Sequence, residues 1–277
     1  MPQDKFKVLV ADDSATVHSL FAEIARNSPI PIELVHAHDG RECMEKLDDT
    51  VRLAFIDVNM PEMSGMDAVG AARSVGNKTF VTLMSANANT RRRQLALQLK
   101  VYEFLAKPFT PEQVLDILAT YRRVTTPTRA LIVDDSATVR RIIRRVLASS
   151  IFDIEPTDAS DGASALAFCE SGDFDVVFLD CNMPGLDGLE TLERLRQRDA
   201  NVKAIMITGD RNEIWRRLAL ARGAVAFLYK PFYPADIDRE LHAIFGLRMP
   251  ELAAVEPMRL AKADPLATEI AQAQWSG

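Results

Sequence analysis

Two sets of five side chains stand out for what they could do together. The first is Asp12, Asp13, Asp57, Ser85 and Lys107; the second is Asp134, Asp135, Asp180, Thr208 and Lys230. The acid pairs recur at a spacing of 122 residues and the other three positions at 123. Three carboxylates gathered in one pocket repel one another and raise one another's pKa unless a cation sits among them. An all-oxygen donor set suits Mg2+, which keeps several waters and takes few carboxylates together with a phosphate oxygen. A lysine adds a point charge for phosphate, and a hydroxyl adds a donor. In such a setting an aspartate oxygen can attack phosphorus and form an aspartyl phosphate, and Asp57 and Asp180 are the acids expected to do so. An adjacent acid pair alone usually marks a solvated loop. The ordered set, written twice, is what carries the reading.

These side chains need elements to hold them. The stretch DDSATV occurs at 12–17 and again at 134–139; FIDVNMPEMSGMDAV, from Phe55, is answered by FLDCNMPGLDGLETL, from Phe178, and YEFLAKPF by VAFLYKPF. Self-similarity at this period makes the chain two copies of one domain. In each copy five short apolar runs alternate with amphipathic segments, the second copy's runs falling at 129–133, 152–157, 175–179, 203–207 and 226–229. Runs this rich in Val, Ile, Leu and Phe between helices indicate a parallel sheet covered on both faces, a doubly wound α/β domain. Ligands bind such sheets at the carboxyl ends of the strands, where strand order reverses, and the acids follow the first and third runs. Ser14 and Ser136 are placed to cap the first helix of each copy, and Thr110-Pro111 to open the last helix of the first. The expected layout is one domain over 1–123, a linker over 124–128, a second domain over 129–246, and a tail over 247–277. The tail could form a short helix from Asp264, dock, or stay disordered. A linker this short implies that the domains touch.

Composition excludes several classes. A chain of 277 residues that is 48% hydrophobic can build two ordinary cores. A net charge of −6 argues against coating nucleic acid or anionic membrane. Cys43, Cys169 and Cys181 have no metal-ligand or disulfide-framework spacing. No uncharged apolar run approaches the roughly 20 residues that span a bilayer, so a cytoplasmic protein is expected. His18, His36, His38 and His242 are scattered and read as surface or boundary residues. Trp215 reads equally as core edge or partner anchor.

The order DD, DxNMP, S/T-A/G, KPF at this spacing resembles the receiver domains of bacterial two-component response regulators, over about 5–123 and 128–246. The resemblance implies a flavodoxin-like fold with strand order 2-1-3-4-5 in each copy. It implies that Asp13 and Asp135 bind Mg2+ directly, that Asp12 and Asp134 assist through water, and that the backbone carbonyls of Asn59 and Asn182 complete the set. Ser85, Thr208, Lys107 and Lys230 would contact the phosphoryl group, and Phe104 and Phe227 would be the aromatics that turn inward. The implied partners are a histidine kinase or histidine phosphotransfer protein and a downstream protein, with no nucleic acid and no membrane, and no turnover of an external substrate. Oligomeric state stays open. Lys100-Val101 stands where the second copy has Gly223-Ala224, the pair that resembles the family's, so the first copy departs from the pattern just before Phe104.

Helix 1 of the second copy gathers Arg140, Arg141, Arg144 and Arg145 on one arc, opposite Val139, Ile142, Ile143, Val146 and Leu147. The arc is either a solvated face or a docking surface for the phosphodonor. The first copy has His18, Ser19, Ala22 and Glu23 there, so the copies are expected to differ in donor preference. Competing readings are a receiver scaffold that has lost phosphorylation, a phosphate sink, and a phosphohydrolase of the haloacid dehalogenase type. The last expects its nucleophile after the first strand and a cap insertion, and neither is present.

Overall fold

The computed structural model describes residues 6–87 and 89–254. It divides into two compact units, the first built from the residues up to Tyr121 with a segment from Pro250, the second from Arg122–Met249. The first runs β1 (Phe6–Ala11), α1 (Ala15–Asn27), β2 (Ile32–Ala37), α2 (Gly40–Lys46), β3 (Leu53–Asp57), α3 (Gly65–Ser74), β4 (Phe80–Ser85), α4 (Thr90–Gln98), β5 (Glu103–Ala106) and α5 (Pro111–Val124). The second runs β6 (Thr128–Val133), α6 (Ala137–Leu147), β7 (Ile154–Ala159), α7 (Gly162–Ser171), β8 (Val176–Asp180), α8 (Gly188–Arg198), β9 (Ala204–Thr208), α9 (Glu213–Ala221), β10 (Ala226–Tyr229) and α10 (Pro234–Ile244). The sheets have the orders β2-β1-β3-β4-β5 and β7-β6-β8-β9-β10, with every neighbouring pair parallel. Each is the expected 2-1-3-4-5 arrangement.

Burial explains the order. LAFID in β3 and VVFLD in β8 are buried at every position, as strands covered by helices on both faces require. The edge strands β2 and β7 are only half-buried, and Pro156, which has no N–H to give a ladder, is tolerated in β7 because that strand is an edge. β7 starts two residues later than its apolar run, because Phe152 packs its ring against His242 and Phe245 instead of joining the sheet.

The remaining differences are local. α5 ends at Val124 and β6 begins at Thr128, which leaves 125–127 between the two elements. Ser136 caps α6 by accepting from the Val139 N–H, whereas the Ser14 side chain makes no such bond; in both copies the serine N–H donates to Oδ1 of the first aspartate, at 3.0 Å and 2.9 Å. A 3-10 turn, Glu251–Ala254, lies after α10 in sequence yet packs within the first unit. Leu252 is buried in the same apolar cluster as Val101 and Phe104. The Glu251 N–H donates to the Glu103 carboxylate at 2.9 Å, and the Glu251 carboxylate pairs with Arg93 at 3.0 Å. The helix expected from Asp264 lies outside the described residues.

Truncating a buried leucine removes its transfer energy and leaves a cavity, so Leu252→Ala should cost about 2–4 kcal/mol. Urea unfolding followed by hydrogen exchange should place that loss in the first unit. In the second unit Asp238 accepts from the Ser150 hydroxyl at 2.5 Å and the Ile151 N–H at 3.2 Å. Burial nevertheless pushes its pKa up to about 6, against the pull of those bonds. A carboxyl whose pKa is raised by folding adds stability below its ordinary pKa and loses it as pH climbs through the folded value. Asp238→Asn keeps the acceptor without the charge. The variant should therefore exceed the parent protein in urea midpoint at pH 8, with the difference closing as pH falls from about 6 to 4.

Candidate functional site

The register of β1 against β3 sets Ala11 beside Ile56, and that of β6 against β8 sets Val133 beside Leu179. Asp12 and Asp134 therefore leave their strands next to Asp57 and Asp180. All four are buried, while Asp13 and Asp135 are exposed at the mouths. The lysine that follows the fifth strand closes each group. Lys107 Nζ lies 2.6 Å from Asp12 Oδ2 and 2.8 Å from Asp57 Oδ2. Lys230 Nζ lies 2.8 Å from Asp134 Oδ2 and 2.7 Å from Asp180 Oδ1. The Lys107 side chain is 23% exposed and that of Lys230 only 6%.

Burial would lower the pKa of each lysine, but the paired carboxylates outweigh it and both are raised. The ammonium charge is locked in. Burial pushes Asp180 up, opposed by Lys230. In the first unit, ligand oxygens of Asp12, Asp13 and Asp57 lie within 4.8 Å of one another, and among the described residues no other His, Cys, Asp or Glu group meets that condition. Three carboxylates against one ammonium leave two net negative charges and an all-oxygen donor set, which fits a hard divalent cation such as Mg2+. The second pocket differs: Arg140 Nη1 donates to the carbonyls of Asp134 at 2.6 Å and Asp135 at 3.2 Å, adding positive charge at its rim.

The loop after the third strand also reaches Asp57 and Asp180. The Asn59 N–H donates to Asp57 Oδ1 at 3.3 Å and the Asn182 N–H to Asp180 Oδ2 at 2.9 Å. The Asn59 side chain is held by Arg92 at 3.0 Å. The glycines that open α3 and α8 permit this packing: a Cβ on Gly65 would fall 2.0 Å from the Asp57 carbonyl oxygen, and one on Gly188 2.1 Å from that of Asp180. Both stand inside the repeated block, and the signal that marks them is a glycine at the same offset in each copy.

The hydroxyls and aromatics are placed less uniformly. Ser85 Oγ donates to the Asn87 carbonyl at 2.9 Å, and Thr208 Oγ1 accepts from the Asp210 N–H at 3.1 Å. Each is tied to its own following loop. Phe104 is buried, whereas Phe227 is half-buried against the Tyr229 ring. Lys100 takes a φ of 52° at the position where Gly223 takes 95°. The helix end is preserved, with the Val101 N–H bonding to Ala96 as the Ala224 N–H does to Ala219. Trp215 packs at the edge of the second core.

The arginine arc on α6 divides in two. Arg144 Nε donates to Asp158 at 2.8 Å and Arg140 Nε lies 3.6 Å from it, so these two are engaged by β7. Arg141 and Arg145 are exposed. The histidines of the first unit are not scattered. His18 Nδ1 lies 2.7 Å from His36 Nδ1, His18 Nε2 lies 2.8 Å from the Asp12 carbonyl, and the His38 ring centre is 4.5 Å from that of His18. Burial first, then His18, His38 and Lys46, holds the His36 pKa below its usual value.

No helix among the described residues is long and apolar enough to cross a membrane. Comparison with known proteins agrees with the geometry. The chain is 34% identical over 119 residues to chemotaxis protein CheY-3 of Vibrio cholerae, covering 42% of this chain and 91% of that protein. It is 37% identical over 122 residues to the cyclic di-GMP phosphodiesterase response regulator RpfG of Xanthomonas campestris, covering 43% of this chain but 32% of that protein. Against the nitrate/nitrite response regulator NarL of Escherichia coli it is 30% identical and spans 61% of that protein. A crystal structure of a two-component system response regulator/GGDEF domain protein aligns over 87% of this chain and 100% of its own, at a TM-score of 0.60 and 24% identity, a likeness of fold. The profile of the response regulator receiver domain matches residues 8–119 and 130–242, and the chain belongs to that family, with two receiver domains in tandem.

Proposed function

We propose that this chain is a two-component response regulator phosphorylated on both Asp57 and Asp180, whose output is a change in protein contacts. The observation that carries this is the same in each unit: a buried aspartate at the end of the central strand, paired to a lysine within 2.8 Å and receiving the N–H two residues on. Asp12 and Asp13, with the Asn59 carbonyl, would hold Mg2+ in the first unit, and Asp134, Asp135 and the Asn182 carbonyl in the second. When bound, Mg2+ would neutralise charge on the incoming phosphoryl oxygens. A carboxylate oxygen of Asp57 or Asp180 attacks phosphorus, the P–N bond of a phosphohistidine breaks, and its electron pair returns to the donor imidazole. Lys107 and Lys230 hold the phosphoryl oxygens, and Ser85 and Thr208 leave their loops to donate to them. That movement, with Phe104 and Phe227, biases a two-state equilibrium toward the partner-binding form.

The donor is a histidine kinase or histidine phosphotransfer protein, and Arg141 and Arg145 are the exposed cations of α6 that would meet it on the second unit. The first unit offers Ser19 and Glu23 at those positions, so the receivers would not share one donor equally. The cytoplasm is the setting in which such donors act.

Acetyl phosphate with Mg2+ should add two phosphoryl groups, seen as intact mass after acid quench. Asp57→Asn and Asp180→Asn should each remove one, and the double variant both. No addition to the parent protein would favour a scaffold, and turnover of small phosphomonoesters would favour a hydrolase. Without Mg2+, Lys230→Met leaves two buried carboxylates with no cation and should cost about 3 kcal/mol. Lys107→Met should cost less, since its ammonium is more exposed, and thermal unfolding of the two variants compares them.

A further inference from the structure

The histidines gathered between α1 and β2 of the first unit have no part in the phosphorylation chemistry. Their arrangement resembles half of a metal centre. The Asp12 carbonyl can only accept, so His18 Nε2 carries the proton in the 2.8 Å bond between them. A neutral His18 thus aims a bare Nδ1 lone pair at His36. Imidazoles that ligate metals characteristically donate the other ring N–H to a carbonyl or carboxylate, which fixes tautomer and orientation. His18 already has that support.

The second unit shows what a self-sufficient version of this site looks like. His18 and His36 correspond, 122 residues on, to Arg140 and Asp158, and the sheet register agrees, with Val10 beside His36 and Ile132 beside Asp158. There the helix residue also donates to the carbonyl of the first aspartate, at 2.6 Å, and its partner is an opposite charge. In the first unit both charges are replaced by nitrogen ligands facing each other at 2.7 Å. Two nitrogens bound tetrahedrally to one Zn2+ stand about 3.3 Å apart, so a small opening of the pair admits the ion. His36 then carries its proton on Nε2, with no net proton released. His38 is exposed and its ring centre lies 4.5 Å from that of His18, tilted by 60°, so a third nitrogen would come from rotation of that exposed side chain. Lys46, which donates to the His36 carbonyl at 2.7 Å, is neutralised by Glu42 at 2.7 Å.

We propose that His18, His36 and His38 form a binding site for a nitrogen-preferring divalent transition cation of the Zn2+ class, distinct from the acidic pocket that suits Mg2+. Hard and borderline cations separate by donor type, carboxylate oxygen for Mg2+ and imidazole for Zn2+.

The test uses the full chain in excess Mg2+, with Zn2+ affinity read by competition against a chromophoric chelator and Co2+ absorption as the spectroscopic probe. The parent protein should bind one Zn2+ at this site. The swap His18→Arg with His36→Asp, which copies the second unit's ion pair, should weaken that binding at least about 100-fold, and His38→Ala about 10-fold, by analogy with losses at supporting residues of metal sites. Asp57→Asn should leave it unchanged. Thermal unfolding of the swap confirms that it folds, and His38→Ala alters only an exposed side chain. Unchanged affinity in both histidine variants, or loss of Zn2+ binding in Asp57→Asn, would overturn the proposal.

Discussion

An ammonium clasped between two buried carboxylates at the carboxyl edge of each sheet is the interaction on which the rest depends. Burying three charges is costly unless each is paired, and the pairing works only if strands distant in sequence end at one place. Lys107 comes from beyond β5 and Asp12 from beyond β1, and they meet across the carboxyl ends of the two intervening strands, β3 and β4. Gly65 and Gly188 let the following helix start against the carbonyls of Asp57 and Asp180, which keeps the loop close enough for the Asn59 and Asn182 N–H groups to reach those carboxylates. The fold is in this sense a device for holding one cation and two anions at fixed separation. It leaves the exposed acid, Asp13 or Asp135, at the mouth where a second cation would enter.

What could be read from the sequence was whatever is dictated by strand ends. Asp57, Asp180, Lys107 and Lys230 each sit at or just beyond a buried apolar run, so position along the chain translates directly into position in the pocket. Central strands were legible for the same reason, since full burial leaves no polar residue in LAFID before its last position or in VVFLD before its own. Features made by two elements crossing were not. His18 is on a helix and His36 on a strand, 18 residues apart, and only the packing of α1 on β2 makes them neighbours. Leu252 could not be read either, because its burial comes from the chain returning to the first unit after completing the second. The α6 arginines followed helical periodicity faithfully, but periodicity carries no information about Asp158 on the neighbouring strand, which engages two of the four.

The two copies diverge according to how many constraints bear on each position. The pocket needs charged groups from three strands at once, and a change in any one leaves a buried charge unpaired. Where α1 meets β2 the requirement is only pairwise: a donor to the carbonyl of the first aspartate and something compatible across from it. Arginine with aspartate satisfies that, and so does histidine with histidine. The helix end before the fifth strand is similarly tolerant, since Lys100 can hold the left-handed conformation that Gly223 adopts freely, at an expense of order 1 kcal/mol.

These tolerant positions ring the pocket, so they are also where the receivers can acquire different behaviour without losing shared chemistry. Arg140 adds positive charge beside Asp134 and Asp135, whereas His18 and His36 face each other through their ring nitrogens. Leu252 and Phe104 are buried in one apolar cluster, whereas Phe227 is half-buried. Under the proposed switching role, an enclosed aromatic would have less inward distance to travel than a half-buried one, so the two receivers would start from different conformations. Two domains that share the acid–lysine arrangement would then differ in their starting populations, and a signal of equal strength at both would shift them unequally.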